Sequence, residues 1–562
     1  MASTPRAQHH DKVEGGDVEL DESAYSGHAT DYVESALLSH YDNIAGQDID
    51  AYSEIKGRTA NRGLGSSLAA IFCNSFPLHL PLISSGRLRQ HSAKAPADSA
   101  ASPRGFWASV RWAFNYPEPG LKLRKTAWLD ALRGLAAFNV FLFHWAEVWV
   151  DKDAGWGTGG QWNNPDAWWA APFIRLIFDG GSASVSLFFS ISGYVLTSRM
   201  LSLIRQQKTD ELFVALSSAV MRRGIRLYMP VVILTFFLMN WAWVTGWPLA
   251  RVLDYEDSYL WELWRWYIQL TRLWMPLRYP DRAYRILNIY DGTVSWTIPL
   301  EYYGSITVWV ALLFTARITS FGVRAAIFAV LIFMYTVTDE WYVVQFFVGA
   351  IYAEYHLVRD EQRQKKAEIG ALSPPSQQRT TASKAAIISI LIVGLYLSSM
   401  PGYWTDPNTD ELDPRPFYNW LVPPRGWYRW SQPDRFIWDI GSDCVLIAIG
   451  ELETLQRLLE KRPFQYLGRI SFGLYLCHMT VRGLLKPLDN TYLRLWGLED
   501  GVLEQVASLR YAGAYWTRIL VGAPILFIIA GLFERWVDRP SINMGRRFEK
   551  FALRIGGRGI RS

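Results

Sequence analysis

Cysteine is almost missing from this chain: Cys73, Cys444 and Cys477 are the three among 562 residues, with no CxxC and no His-linked spacing. That pattern indicates neither a disulfide framework nor a zinc site, so no metal is expected. No Gly-rich phosphate loop, GxSxG elbow or basic–aromatic nucleic-acid stripe stands out, which leaves no motif support for a nucleotide-binding, serine-hydrolase or nucleic-acid partner reading. No basic stretch leads into an apolar core at the N-terminus, so no cleavable signal peptide is expected. An internal repeat is also missing, which counts against a transporter built from duplicated halves.

Aromatic residues, by contrast, are plentiful: 15% of the chain, including 27 Trp, within a composition that is 50% hydrophobic. Trp and Tyr collect at both interfaces of a bilayer, where a flat ring with one polar atom fits best. Residues 1–64 are polar and aperiodic and read as a disordered tail. The stretch 65–85 is mildly apolar but broken by Pro77 and Pro81, too interrupted for a full span. The polar, largely disordered N-terminal region is thus expected over 1–121, the membrane domain over 122–540 and a basic tail over 541–562.

From Lys122 onward about ten candidate spans follow: 129–150, 182–200, 227–246, 293–315, 319–337, 341–357, 384–400, 436–452, 466–486 and 512–533. The fold class expected is all-α, a polytopic membrane helix bundle of about ten transmembrane helices. Segment 258–275, with alternating Trp and charge, reads as an interfacial amphipathic helix. With a cytosolic N-terminus the inner loops 201–226, 316–318, 358–383 and 453–465 and the C-terminal tail are rich in Arg and Lys. This fits the positive-inside rule with both termini cytosolic, although the long outer loop 247–292 carries six Arg.

Inside the first span, Arg133 and His144 lie 11 residues apart. A helix turns about 100° and rises about 1.5 Å per residue, so the two share a face about 16 Å apart. They are too distant to bond each other, a geometry suited to a long ligand gripped at one end and attacked at the other. The bland alternative is two satisfied polar residues in a bundle. Glu301 lies in the apolar run TVSWTIPLEYYGS (293–305), where an unpaired carboxylate costs several kcal/mol, so it should be paired, protonated or face a cavity. Arg222, Arg223 and Arg226 lead into the third span; such a cluster either fixes topology or grips an anionic cosubstrate, since Arg binds phosphate in bidentate fashion. In 179–200, small residues permit close helix contact, and Ser190 and Ser192 could also shape a binding tunnel.

Taken in order, these blocks resemble the acyltransferase-3 family. LDALRGLAAFNVFLFHW is similar to its opening signature, an Arg and a His separated by ten residues; SLFFSISGYVLTSRM, RRGIRLYMP, SWTIPLEYYGS, FFVGAIYAEY, YLGRISFGLYLCHM and FERWVDRP continue it over about 125–540. The TIPLEYYGS form and the long polar N-terminus look most like the fungal branch. The resemblance implies a multi-pass O-acyltransferase that carries an acyl group, usually acetyl, from acyl-CoA to a hydroxyl of a carbohydrate, lipid or secondary metabolite, in the endoplasmic reticulum or plasma membrane. Acyl-CoA would be a cosubstrate, with no cofactor held permanently. His144 and Glu301 would be catalytic, and Arg133, Arg222, Arg223 and Arg226 would hold the donor. Ser190, Ser192, Trp296 and Tyr302 would face the substrate. One departure is that bacterial members often carry two adjacent acids where this chain has Glu301–Tyr302. The competing readings are a proton-coupled transporter using the same His, Glu and Arg, and a relative that has lost activity.

Overall fold

The computed structural model describes residues 111–117, 123–147, 149–150, 156, 167–247, 249, 258–273, 290, 294–368, 380–402, 417–421, 433–498 and 506–556. The expected tail 1–64, the segment 65–85 and most of the loops 247–292 and 401–434 lie outside the described residues. Twelve described helices have fifteen residues or more. We number them α1 (Ala127–Ala146), α2 (Gly181–Arg205), α3 (Thr209–Thr245), α4 (Tyr259–Leu273), α5 (Thr297–Phe314), α6 (Phe321–Val337), α7 (Trp341–Glu368), α8 (Thr381–Ser398), α9 (Pro433–Glu451), α10 (Arg462–Leu485), α11 (Leu509–Phe533) and α12 (Arg539–Gly556). No strand occurs among the described residues.

Local chemistry sets several helix ends. The Thr380 and Ser508 hydroxyls accept from the backbone N–H groups of Ser383 and Tyr511, satisfying donors that open α8 and α11. Gly246, at φ 64°, closes α3 in the left-handed region that a residue without a Cβ enters freely. Pro463 stands in the first turn of α10, where a missing N–H removes no helical bond.

Each of the ten segments expected to span is largely helical, but a count of ten membrane-crossing helices does not follow. Among the described residues, five helices are long and apolar enough to cross a membrane: Gly181–Arg205, Thr209–Thr245, Val294–Phe314, Thr381–Ser398 and Leu509–Ile555. The others are too short or too polar by that measure. α6 has 17 residues. α1 carries Asp130, Arg133 and His144, and α9 carries Asp434, Arg435, Asp439 and Asp443. Such helices turn their polar residues toward neighbouring helices. Residues 541–556, expected as tail, are helical within α12.

Small residues decide which helices meet. A Cβ on Gly134 would fall 2.3 Å from the Gly468 nitrogen, and one on Gly468 would fall 2.4 Å from the Asp130 carbonyl oxygen, so α1 and α10 touch backbone to backbone. Gly193 and Gly349 bring α2 and α7 together in the same way.

Candidate active site

The α1–α10 contact aligns the first part of the site. Gly134 meets Gly468 and, ten residues further along both helices, His144 meets His478, so the two helices run parallel. The imidazoles stack with centroids 5.0 Å apart and planes 25° from parallel. His144 Nδ1 lies 3.7 Å from a carboxylate oxygen of Glu147, one helical turn on. His478 is fully buried, with Nδ1 2.6 Å from the Tyr475 carbonyl oxygen. A carbonyl only accepts, so Nδ1 carries the proton and Nε2 presents a lone pair in the neutral ring. That Nε2 has no hydrogen-bond partner among the described residues. An unmet buried acceptor costs about 1–3 kcal/mol, so the atom asks for a donor from a ligand or water.

Two arginines close the same end of α1. Arg482 donates to the His144 carbonyl oxygen at 2.8 Å and to Glu147 at 2.5 Å. Arg518 donates to the Trp145 carbonyl oxygen at 2.7 Å and to Asp489 at 2.8 Å, with its guanidinium over the Trp145 ring. The last carbonyls of a helix lack intrahelical partners, and positive charge is favoured there. Burial pushes the Asp489 carboxyl above the usual aspartate range, and Arg518 opposes that shift.

At the opposite end of α1, Arg133 donates to Ser471 Oγ at 3.1 Å and to the Gly468 carbonyl oxygen at 3.4 Å, and lies 3.4 Å from Asp130. Arg223, buried on α3, donates to Glu301 Oε1 at 2.6 Å and to Ser305 Oγ at 3.2 Å. Ser192 donates to the same Glu301 oxygen at 3.2 Å. The other Glu301 oxygen accepts no hydrogen bond among the described residues, and the side chain is 24% exposed. The charges of Arg133 and Arg226 act on both Arg223 and Asp538, which joins these residues into one charged cluster.

The structure therefore unites Arg133, Arg223, Glu301 and Ser192, with Arg226 exposed beside them. It separates others. Arg222 lies 3.5 Å from Glu549 of α12. Ser190 donates to Asp443 at 2.6 Å in a polar cluster with Gln345, because residues two apart on a helix point about 200° from each other. The Trp296 ring packs 6.4 Å from Trp341, with the Arg435 guanidinium over both, and the Tyr302 ring packs on Tyr228. Glu301 makes no hydrogen bond to His144; the carboxylate beside His144 is Glu147.

Sequence reasoning passed over Glu147, His478, Arg482 and Asp538. For three of them a signal was present: Glu147 stands three residues after His144, while His478 and Asp538 lie in YLGRISFGLYLCHM and FERWVDRP.

Comparison with known proteins gives this geometry a lineage. An O-acetyltransferase of Phomopsis amygdali, PaAT-1, is 27% identical over 448 residues, covering 75% of this chain and 84% of its own. Acyltransferase R4 of a Phoma species is 21% identical, and acyltransferase clz18 of Cochliobolus lunatus 24%; each alignment covers 74% of this chain and 94% of the relative. No solved structure matches. The acyltransferase-3 family model, described as an acyltransferase domain, matches residues 126–535. Together with the five long apolar helices, that match suggests a membrane protein. The chain belongs to the acyltransferase-3 family and is an enzyme that transfers acyl groups.

Proposed function

We propose that the protein is a membrane-embedded O-acyltransferase that moves an acyl group, acetyl in the first instance, from acyl-CoA to a hydroxyl of a carbohydrate, lipid or secondary metabolite. The observation that carries this reading is the setting of His144: a carboxylate on one side, a buried histidine against its face, and Arg133, a member of the arginine cluster, about 16 Å away along the same helix. Coenzyme A is a long, thin arm with phosphates at one end. Arg133 and Arg226 would meet those phosphates, a role supported by the exposed side chain of Arg226. The thioester would then lie toward His144.

In the transfer step His144 takes the proton of the acceptor hydroxyl while that oxygen attacks the thioester carbonyl. The C–S bond breaks, the thiolate leaves with the bonding pair, and the proton held on His144 passes to it. Glu147 stabilises the transient imidazolium, and His478, whose Nδ1 proton is held by Tyr475, presents an uncharged ring beside it. Glu301, with one oxygen held by Arg223 and Ser192, offers its other oxygen to a hydrogen-bond donor of a bound substrate. The route in which His144 itself carries the acyl group uses the same residues.

The test is acetyl transfer by the purified protein in nanodiscs, with radiolabelled acetyl-CoA and a pooled lipid, sugar and metabolite extract. The wild type should label an acceptor; His144→Ala should not, at an unchanged melting temperature. Label retained on the wild-type protein would select the acyl-histidine route. If acetyl-CoA did not bind at all, the reading would fail and the carrier reading would replace it.

A further inference from the structure

The helix α12 has a face that no other described element covers. It follows α11 through a π-helical turn at Glu534–Asp538, and then packs on α3. Its inward side is narrow: Ser541 and Gly545 are buried, and a Cβ on Gly545 would sit 3.3 Å from the Arg222 carbonyl oxygen. Glu549, the single acid of the helix, turns the same way, to Arg222.

Two stripes remain on the outside. Phe548, Phe551 and Ile555, at helical spacing, are 48%, 61% and 61% exposed. Arg547, Lys550 and Arg554 each precede one of those residues, so a cationic stripe runs parallel to the apolar one about 100° around the axis. None of these three cations forms a hydrogen bond or ion pair among the described residues, and no acid shares their face. With four charges between Arg546 and Lys550 alone, counting Glu549, the helix cannot continue α11 through hydrocarbon. Apolar and cationic stripes side by side suit a helix lying in the plane of a membrane surface, with its rings among the acyl chains and its cations at headgroup level.

We propose that α12 is an interfacial helix that binds anionic phospholipid headgroups through Arg547, Lys550 and Arg554. The ligand is the bilayer itself, and the proposal rests on the bundle crossing that bilayer. Because α12 rests on α3 at Arg222, the binding anchors the helix that carries Arg223 and Arg226 at a fixed depth.

The test is hydrogen exchange of residues 540–556 in the full chain, reconstituted in nanodiscs of pure phosphatidylcholine and of phosphatidylcholine with about a third phosphatidylserine. Phosphatidylserine should slow exchange by roughly tenfold or more, and high salt should reverse the slowing, because each cation adds to attraction that salt screens. The triple substitution Arg547→Gln, Lys550→Gln and Arg554→Gln should exchange as in phosphatidylcholine in both lipids, at an unchanged melting temperature. Equal protection of the wild type in both lipids would overturn the proposal. So would protection produced by free coenzyme A in phosphatidylcholine, which would give the stripe a soluble phosphate ligand. Failure of the protein to enter nanodiscs would instead undo the membrane reading beneath both proposals.

Discussion

Among the Arg–Glu pairs that cross between helices of this bundle, two are built differently. Arg324 of α6 and Glu354 of α7 meet through two parallel hydrogen bonds of 2.9 Å, with a third from Arg324 to the Thr315 carbonyl oxygen. Both side chains are almost wholly buried, and both carboxylate oxygens are taken. Arg223 and Glu301 share one oxygen, and the second is left open on a partly exposed side chain. A closed pair leaves nothing for a ligand to do; an open one keeps bonding capacity facing a space. The difference separates an element of the scaffold from an element of the candidate site, although each pair is an arginine and a glutamate in apolar surroundings.

The largest effect expected from this contrast is on the closed pair. Glu354→Ala leaves Arg324 buried without its anion, a change of about 3–5 kcal/mol. Thermal unfolding in detergent should show a greatly lowered midpoint or no folded protein; a stable variant would mean that the pair is not structural. Glu301→Gln is expected to do the reverse: the fold survives within about 1 kcal/mol, since an amide oxygen can still accept from Arg223. Acetyl transfer should fall by about 10²-fold, the size expected when a hydrogen bond to a charged acceptor, about 1.5–3 kcal/mol, is lost. Equal losses of stability from both variants would erase the distinction drawn between the pairs. The smallest effect concerns Glu361, whose carboxyl is held below the usual glutamate range by the Arg205 guanidinium. A depressed folded pKa adds stability above the unfolded pKa that is lost as pH falls through the folded one. Glu361→Gln should therefore lower the melting temperature slightly at neutral pH and leave it unchanged at strongly acid pH. The effect stays small because the pair is partly solvated.

Much of this organisation was legible in the sequence, because apolar periodicity and family motifs mark helices and named positions directly. The helical character of the ten segments, the shared face of Arg133 and His144, and the need of Glu301 for a partner all follow from rules about single helices. What was not legible depends on how helices pack. His478 reaches His144 because two glycines 334 residues apart let α1 and α10 run side by side. Of three clustered arginines, the rotation of α3 decides that Arg223 is buried, Arg222 meets α12 and Arg226 stays exposed. Ser190 and Ser192 were grouped by proximity in sequence, while the helix turns them into different clusters. Charge counting alone made 541–556 a tail, since it ignores the angular order that separates the apolar stripe of α12 from its cations.

The clamp on the end of α1 has a consequence for synthesis. The carbonyls of His144 and Trp145 are held by Arg482 and Arg518, which leave the ribosome more than three hundred residues later. The first helix can therefore be in place long before the end bearing its histidine is secured. A nascent chain that has not reached Arg518 carries the histidine but lacks its fastening, so the surroundings of His144 described above belong to the finished chain.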